Sequence, residues 1–246
     1  MNALAEQRIV AGVPIHYAGA HWRTAEAMAE AVEKTVALLS ERWRLAVPTA
    51  CRLFVLSDWH ELIDRTAPSL WRPLIRLTRA LWRKRVDRAM AMAGGITIPW
   101  RSRPVVAVKP AEALGPEPHG LGARLFVPVE DPLERVRHIT CHELTHASTA
   151  HRRLPTWLNE GIAMRAVDHL VGHPTVLDTS RALAKQDPAL LDERAYRRLE
   201  AEDEDLLLEL YATGYWTTRR LDERDPEQLL ALLSSRGKTP KLPDRR

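Results

Sequence analysis

Two histidines in the second half of the chain have the type and spacing to bind a metal ion. Residues 142–146 read His-Glu-Leu-Thr-His, so His142 and His146 are four residues apart. On an α-helix, positions i and i+4 share one face, so both imidazoles can reach a single ion. The context favours a helix, because Asp131 is typical of an N-cap and Pro132 of a first helical turn. The pattern therefore predicts a metal site on one helix face.

A zinc site also needs a third protein ligand, and Glu160 is the candidate. Zinc used in catalysis takes three protein ligands and keeps a fourth position open. The first helix runs about five residues past His146, and a second helix returns about five residues from Pro155 to Glu160. At about 1.5 Å per residue both legs are about 7.5 Å long. An antiparallel helix pair thus brings Glu160 level with His146.

These residues carry a resemblance to a known family. The His-Glu-x-x-His helix, followed by Trp-Leu-Asn-Glu-Gly at 157–161, resembles the gluzincin zinc metallopeptidases of the peptidase MA-like superfamily. The resemblance is specific over residues 131–165, looser over 203–235 and weak before residue 120. It implies a zincin-like α+β fold. In that fold a small mixed sheet holds an extended peptide at its edge strand, above an active-site helix and beside a helical C-terminal lobe.

The resemblance implies a role for each matching residue. His142, His146 and Glu160 would be the ligands of a Zn²⁺ cofactor. Glu143 would be the general base, which takes a proton from the attacking water and passes it to the leaving amine. The implied activity is that of a zinc-dependent metallopeptidase with a peptide or protein substrate.

Further residues are expected behind or beside the ligands. Gluzincins often stabilise the oxyanion with a Tyr or His from the C-terminal helical region, where this chain has Tyr211 and Tyr215, four residues apart. Tyr211 is the expected residue, and Tyr215 is the alternative. Asp168, eight residues after Glu160, is a candidate hydrogen-bond partner for a ligand histidine. An ordinary solvated carboxylate is the competing interpretation of Asp168.

One departure from the family pattern bears on specificity. Zinc aminopeptidases carry a Gly-x-Met-Glu-Asn strand whose glutamate binds the free amine of the substrate. The comparable residues 94–98 read Gly-Gly-Ile-Thr-Ile and contain no acid. This difference favours an endopeptidase over an aminopeptidase. A metal-dependent hydrolase of non-peptide amides would share the zinc chemistry and stays open.

The order of predicted elements is mixed α and β first and helical afterwards, which is typical of an α+β fold. Extended segments are predicted over residues 7–17, 51–57, 95–100, 104–109 and 124–129. Helices are predicted over 21–46, 58–65, 71–88, 132–150, 155–171, 180–185, 189–200, 203–220 and 226–235. We expect an α/β subdomain over 1–130, a helical subdomain with the metal ligands over 131–237, and a frayed tail over 238–246.

Composition and sequence patterns bear on the class of protein and on its cellular compartment. The chain has 246 residues, of which 45% are hydrophobic and 28% charged, as in ordinary globular proteins. No apolar run approaches the ~18 residues of a membrane-spanning helix. The N-terminus lacks the pattern of a signal peptide, and two cysteines cannot form a disulfide framework. These features predict a cytoplasmic protein, with peripheral membrane association as the alternative.

The positive charge is concentrated in one segment. The whole chain has a net charge of +4. Residues 65–109 contain eleven basic residues and one acid, a net charge of +10, so the rest of the chain has a net charge of −6. Within it, the amphipathic helix over 71–88 has three interpretations: a cover for the sheet, an interfacial membrane helix, or a docking site for an acidic partner. Nucleic acid is the disfavoured partner. The competing function is accordingly a binding protein that keeps a zincin scaffold and attaches to a membrane surface or nucleic acid through this helix.

Overall fold

A computed structural model describes residues 4, 6–100, 103–115, 121–188, 191 and 204–235 of the chain. Its strands are β1 (Glu6–Val10), β2 (Val13–Tyr17), β3 (Arg52–Val55), β4 (Gly95–Trp100) and β5 (Arg103–Val108). They form one sheet in the spatial order β1-β2-β3-β5-β4. The three central strands are parallel, and each edge strand is antiparallel to its neighbour. Strand β4 is therefore an antiparallel edge.

The described residues also form eight α-helices. They are α1 (Trp22–Trp43), α2 (Trp59–Thr66), α3 (Arg72–Met92), α4 (Leu121–Leu125), α5 (Pro132–Thr149), α6 (Thr156–Val171), α7 (Glu204–Arg224) and α8 (Pro226–Ser234). A mixed sheet followed by a helical second half confirms the predicted α+β class. In this part of the chain, no helix combines the length and apolarity needed to cross a bilayer.

Some predicted elements differ in the structure. Residues 7–17 form a hairpin rather than one extended segment, because Ala11 and Gly12 turn the chain with φ of 49° and 78°. The strand predicted over 124–129 is wrong. Leu125 ends α4, and Phe126 makes one isolated bridge to Val176. The segment predicted as a helix over 180–185 is a 3-10 helix over Asp178–Leu183. The predicted helix over 189–200, apart from residue 191, and the predicted tail over 238–246 lie outside the described residues.

Helix α5 begins at an N-cap and packs against the sheet. The Asp131 carboxylate accepts a hydrogen bond from the Leu133 N–H at 2.9 Å, and Pro132 occupies the first turn, as predicted. Val136 and Leu144 are fully buried in the core that α1 and α5 share with the sheet. Burial of each such side chain stabilises the fold by roughly 1.5–3 kcal/mol. The opposite face of α5 is thereby turned toward α6 and β4.

Helices α6 and α7 cross with their backbones in contact. A β-carbon on Gly161 would clash with the carbonyl of Gly214 and with the hydroxyl of Thr218. A β-carbon on Gly214 would clash in turn with the carbonyl of Trp157. The glycine that follows Glu160 is therefore required by helix packing.

A buried ionic cluster ties α1, α6 and α7 together. Asp222, whose side chain is 1% exposed, accepts hydrogen bonds from His169 at 2.7 Å, Arg165 at 2.9 Å and Arg42 at 3.1 Å. It also accepts one from the indole N–H of Trp43 at 3.2 Å. Burial alone would raise the pKa of Asp222, but these donors hold that pKa well below its usual range. The helix that carries Glu160 is thus anchored to its neighbours by a fully paired charge.

Candidate metal centre

Side chains from α5 and α6 converge at one point. Nε2 of His142 lies 3.0 Å from Nε2 of His146. Oε2 of Glu160 lies 3.5 Å from the first of these nitrogens and 3.4 Å from the second. Glu160 is buried and both histidines are partly buried. The structure thus brings together the three predicted ligands, and they form a group that can hold a metal ion.

The charges in this group depend on one another. Burial alone would lower the pKa of His146, but the Glu160 carboxylate raises it to about 9. Burial would likewise raise the pKa of Glu160, but the two imidazoles hold it well below its usual range. A proton on His146 therefore neutralises Glu160 in the metal-free protein. A metal ion and this proton compete for the same place.

Asn159 contacts His146 at Nδ1, the ring nitrogen that does not face the other candidate ligands. Its side-chain amide lies 2.9 Å from Nδ1 of His146 and 2.7 Å from Oγ1 of Thr149. A ligand imidazole needs the lone pair on Nε2, so Nδ1 carries the proton and donates it. In the structure Nδ2 of Asn159 faces Nδ1 of His146, and Oδ1 accepts from the Thr149 hydroxyl. A 180° rotation of the amide exchanges the two atoms, so that Oδ1 accepts from the protonated Nδ1 and the NH₂ group donates to Thr149.

Sequence reasoning missed both Asn159 and Thr149. The available signals were the position of Asn159 directly before Glu160 and that of Thr149 three residues after His146. Neither position in the sequence shows that the two side chains contact each other, because that contact depends on how α5 packs against α6.

Glu143 lies on the same helix and faces strand β4. The Thr97 hydroxyl lies 2.7 Å from Oε2 of Glu143 and 2.8 Å from its backbone carbonyl oxygen. Gly95 permits this close approach, because a β-carbon there would lie 2.8 Å from Cγ of Glu143 and 3.2 Å from the carbonyl oxygen of Ala107. The edge strand therefore lies directly against the Glu143 carboxylate. The sequence of this strand shows that it contains no acid, but it gives no sign that Thr97 contacts Glu143.

The two tyrosines of α7 have different environments. Tyr211 lines a cavity together with His142 and Glu143. Tyr215 is fully buried, and its hydroxyl donates to Asp168 at 2.8 Å. A hydroxyl used inside the core is not presented to the cavity. The geometry therefore favours Tyr211 for any contact with a bound molecule.

The structure corrects the expectation for Asp168. Its carboxylate is buried rather than solvated, and it accepts hydrogen bonds from the backbone N–H of Thr175 at 2.7 Å and from Arg165 at 2.7 Å, besides the one from Tyr215. None of these donors is a metal-ligand candidate. Asp168 therefore fixes the C-terminal end of α6 and does not orient a ligand histidine.

Two cavities meet at Glu143. The first, of about 280 Å³, extends past His142 and Gly95 and has largely apolar walls. Its apolar side chains are Phe126, Val127, Val129, Ile139, Met164 and Val167. The second, of about 320 Å³, lies on the side of His146 and is lined by Thr97 and Pro99 of β4. Glu143 lines both cavities, so its side chain borders each of these spaces.

Strand β4 also has one open backbone edge. The Lys109 N–H donates to the Gly94 carbonyl at 2.9 Å, which fixes the alternation of the antiparallel ladder. Ile96 therefore bonds to β5, whereas the backbone groups of Gly95 and Thr97 point away from β5. Among the described strands, none pairs with this edge. An extended chain can add to it by backbone hydrogen bonds.

Comparison of the chain with protein-family models, with curated proteins and with solved structures finds no match. The geometry and chemistry of the described residues are therefore the evidence that bears on function.

Proposed function

We propose that the protein is a zinc-dependent metallopeptidase of the gluzincin kind, an endopeptidase on a zincin-like fold. The observation that carries the proposal is the spacing of the donor atoms of His142, His146 and Glu160. Around tetrahedral zinc with bonds of about 2.0–2.1 Å, neighbouring ligand atoms lie about 3.3 Å apart. The three distances here are 3.0, 3.4 and 3.5 Å.

The chemistry of the donor set agrees with this spacing. Two imidazoles and one carboxylate are a common zinc set, and three protein ligands leave a fourth position open. Oε2 of Glu160 is buried and has no hydrogen-bond donor, which suits an atom that binds a cation. When bound, zinc would lower the pKa of a coordinated water and polarise the scissile carbonyl.

Glu143 is the proposed general base. Its side chain borders both cavities, so it would take a proton from the attacking water and deliver it to the leaving amine. The Thr97 hydroxyl holds one carboxylate oxygen at 2.7 Å, which leaves the other free for proton transfer. Tyr211, in the wall of the first cavity, is the proposed donor to the oxyanion that develops on the substrate.

The proposed substrate is an extended peptide that lies along the open edge of β4. Gly95 and Thr97 would offer it backbone hydrogen bonds, and the cavities would receive side chains on both sides of the scissile bond. Space on both sides supports endopeptidase rather than exopeptidase action. The absence of an acid from residues 94–98 supports the same choice, because no carboxylate there would bind a free amine.

Elemental analysis together with a peptide-library assay tests the proposal. We expect about one zinc per chain in the wild type and in Glu143→Gln, and its loss in His142→Ala and Glu160→Ala. The wild type should cleave peptides, and Glu143→Gln should not. Glu134→Gln, an exchange of a half-exposed carboxylate on the same helix, is the matched control and should keep both properties.

Two results would overturn the assignment. Zinc retained by Glu160→Ala would mean that the third ligand lies elsewhere, and the gluzincin type would be wrong. Zinc-loaded wild type that cleaves small non-peptide amides but leaves every peptide intact would replace the peptidase by an amide hydrolase of the same zinc chemistry.

A further inference from the structure

Helix α3 turns a row of leucines toward solvent. Leu77 is 83% exposed and Leu81 is 86% exposed, and the row begins with Leu70 and Leu74, which are 90% and 50% exposed. Leu74, Leu77 and Leu81 lie on α3, where a spacing of three and four residues places them on one face, and Leu70 lies in the turn just before the helix. The apolar residues of this amphipathic helix therefore have different environments: Ile75 is partly buried, whereas the leucines face solvent.

A continuous row of this kind differs from ordinary surface composition. Single exposed apolar residues are normal in globular proteins, whereas a contiguous apolar patch marks an interaction site. Helix α3 packs against α2, and this contact leaves the leucine face open. The row is therefore a candidate interaction site on the surface of α3.

The charge around the row identifies its occupant. Residues 72–92 contain seven basic residues and one acid, Asp87. Lys84, three residues after Leu81, is exposed on the side of the leucines, and Arg72 and Arg83 are exposed on other sides of the same helix. Outside residues 65–109 the chain is net negative, so the cations are concentrated where the leucines are exposed. Exposed leucines among cations fit the boundary between acyl chains and anionic headgroups.

Two other occupants fit less well. A second copy of the chain that covered the leucines through the same helix would bring the two basic helices together, and like charges would oppose the contact. The segment 236–246 has five basic residues and one acid, so it would also be repelled by α3.

We infer that α3 docks the protein on an anionic lipid surface, with Leu70, Leu74, Leu77 and Leu81 inserted at the headgroup boundary and the neighbouring cations on lipid phosphates. The helix would lie in the plane of the interface rather than cross it. This inference does not depend on the metal centre, because it uses residues of another element and no catalytic step.

Vesicle flotation of the full chain tests the inference. Wild type should float with vesicles of phosphatidylcholine containing about 30% phosphatidylglycerol, and much less with phosphatidylcholine alone. Leu77→Ser/Leu81→Ser should weaken binding about 100-fold or more, because each inserted leucine contributes about tenfold or more. Lys84→Glu should weaken it about tenfold or more, since each cation at such a surface contributes about fivefold.

A matched control tests whether the loss of any two exposed apolar side chains has the same effect on flotation. Ile9→Ser/Trp22→Ser removes two other exposed apolar side chains, 66% and 56% exposed, and should float like the wild type. The α3 variants should unfold at the wild-type temperature, because Leu77, Leu81 and Lys84 face solvent.

Five outcomes would overturn the inference. The first is the absence of flotation with anionic vesicles, and the second is equal flotation of the double-serine variant. The third is a lower unfolding temperature of that variant, which would mean that the chain itself covers the row. The fourth is a wild-type dimer that the variant converts to a monomer, which would place a second copy there. Capture of duplex DNA without any vesicle binding would assign the cations to nucleic acid instead.

Discussion

Replacement of Asn159 by alanine is expected to weaken zinc binding about 10–100-fold. The amide lies 2.9 Å from Nδ1 of His146, whose side chain is only 13% exposed, so the substitution leaves a largely buried N–H without an acceptor. An unpaired N–H of this kind costs about 1–3 kcal/mol. A 10–100-fold change in affinity corresponds to about 1.4–2.8 kcal/mol, so the loss of one hydrogen bond accounts for the expected effect.

Asn159→Asp separates the acceptor role from simple packing. An aspartate keeps an oxygen toward Nδ1 of His146, so its zinc affinity should stay within about threefold of the wild type. Thr149→Val, which removes the bond on the far side of the amide, should cost only about three- to fivefold.

Zinc affinity is measured by competition with a chromogenic chelator, and circular dichroism of the metal-free variants checks that they are folded. Equal losses in the aspartate and alanine variants would refute the view that residue 159 acts by accepting a hydrogen bond from the ligand imidazole. Unchanged affinity in the alanine variant would refute its positioning role altogether.

Further predictions concern pH and packing. Zinc affinity should rise about tenfold per pH unit up to about pH 9 and then level off, because metal must displace the proton that Glu160 holds on His146; chelator titrations over this range measure it. Since the pKa of His146 is raised in the metal-free fold, its contribution to stability should be full below about pH 6.5 and lost as pH rises through about 9, as thermal unfolding against pH would reveal. Gly161→Ala should destabilise the protein by about 3 kcal/mol in urea unfolding, while Gly115→Ala, with no atoms within 4 Å of the new carbon, should stay within about 0.5 kcal/mol. Asp222→Ala should cost about 3–5 kcal/mol in the same assay, because it leaves buried cations unpaired.

The spacing of residues along α5 and α6 was enough to predict the convergence of His142, His146 and Glu160. Helical rise and periodicity are fixed by the backbone, so a count of residues becomes a distance. The same reasoning did not find Thr97, which reaches Glu143 from a strand 46 positions earlier in the chain. Contacts of that kind depend on the register of the sheet against the helix, which no local pattern records.

Two other elements show the limit of local patterns. Residues 124–129 have β-prone side chains, but a strand requires a neighbour along its length, and Phe126 finds only a single bridge to Val176. In the basic helix, tryptophans and leucines occur at helical spacing, but the sequence does not tell which of them pack inward. The partial burial of Ile75 and the exposure of Leu77 follow from where α2 lies.

The open edge of β4 has a consequence for the kind of target that the proposed peptidase would cut. A backbone can bond to Gly95 and Thr97 only if its own N–H and C=O groups are not already engaged in a helix or sheet. A folded protein would therefore present a cleavable segment only during local opening, and its cleavage rate would follow the free energy of that opening. Discrimination between intact and damaged proteins would then reside in the stability of the target, with no recognition sequence required.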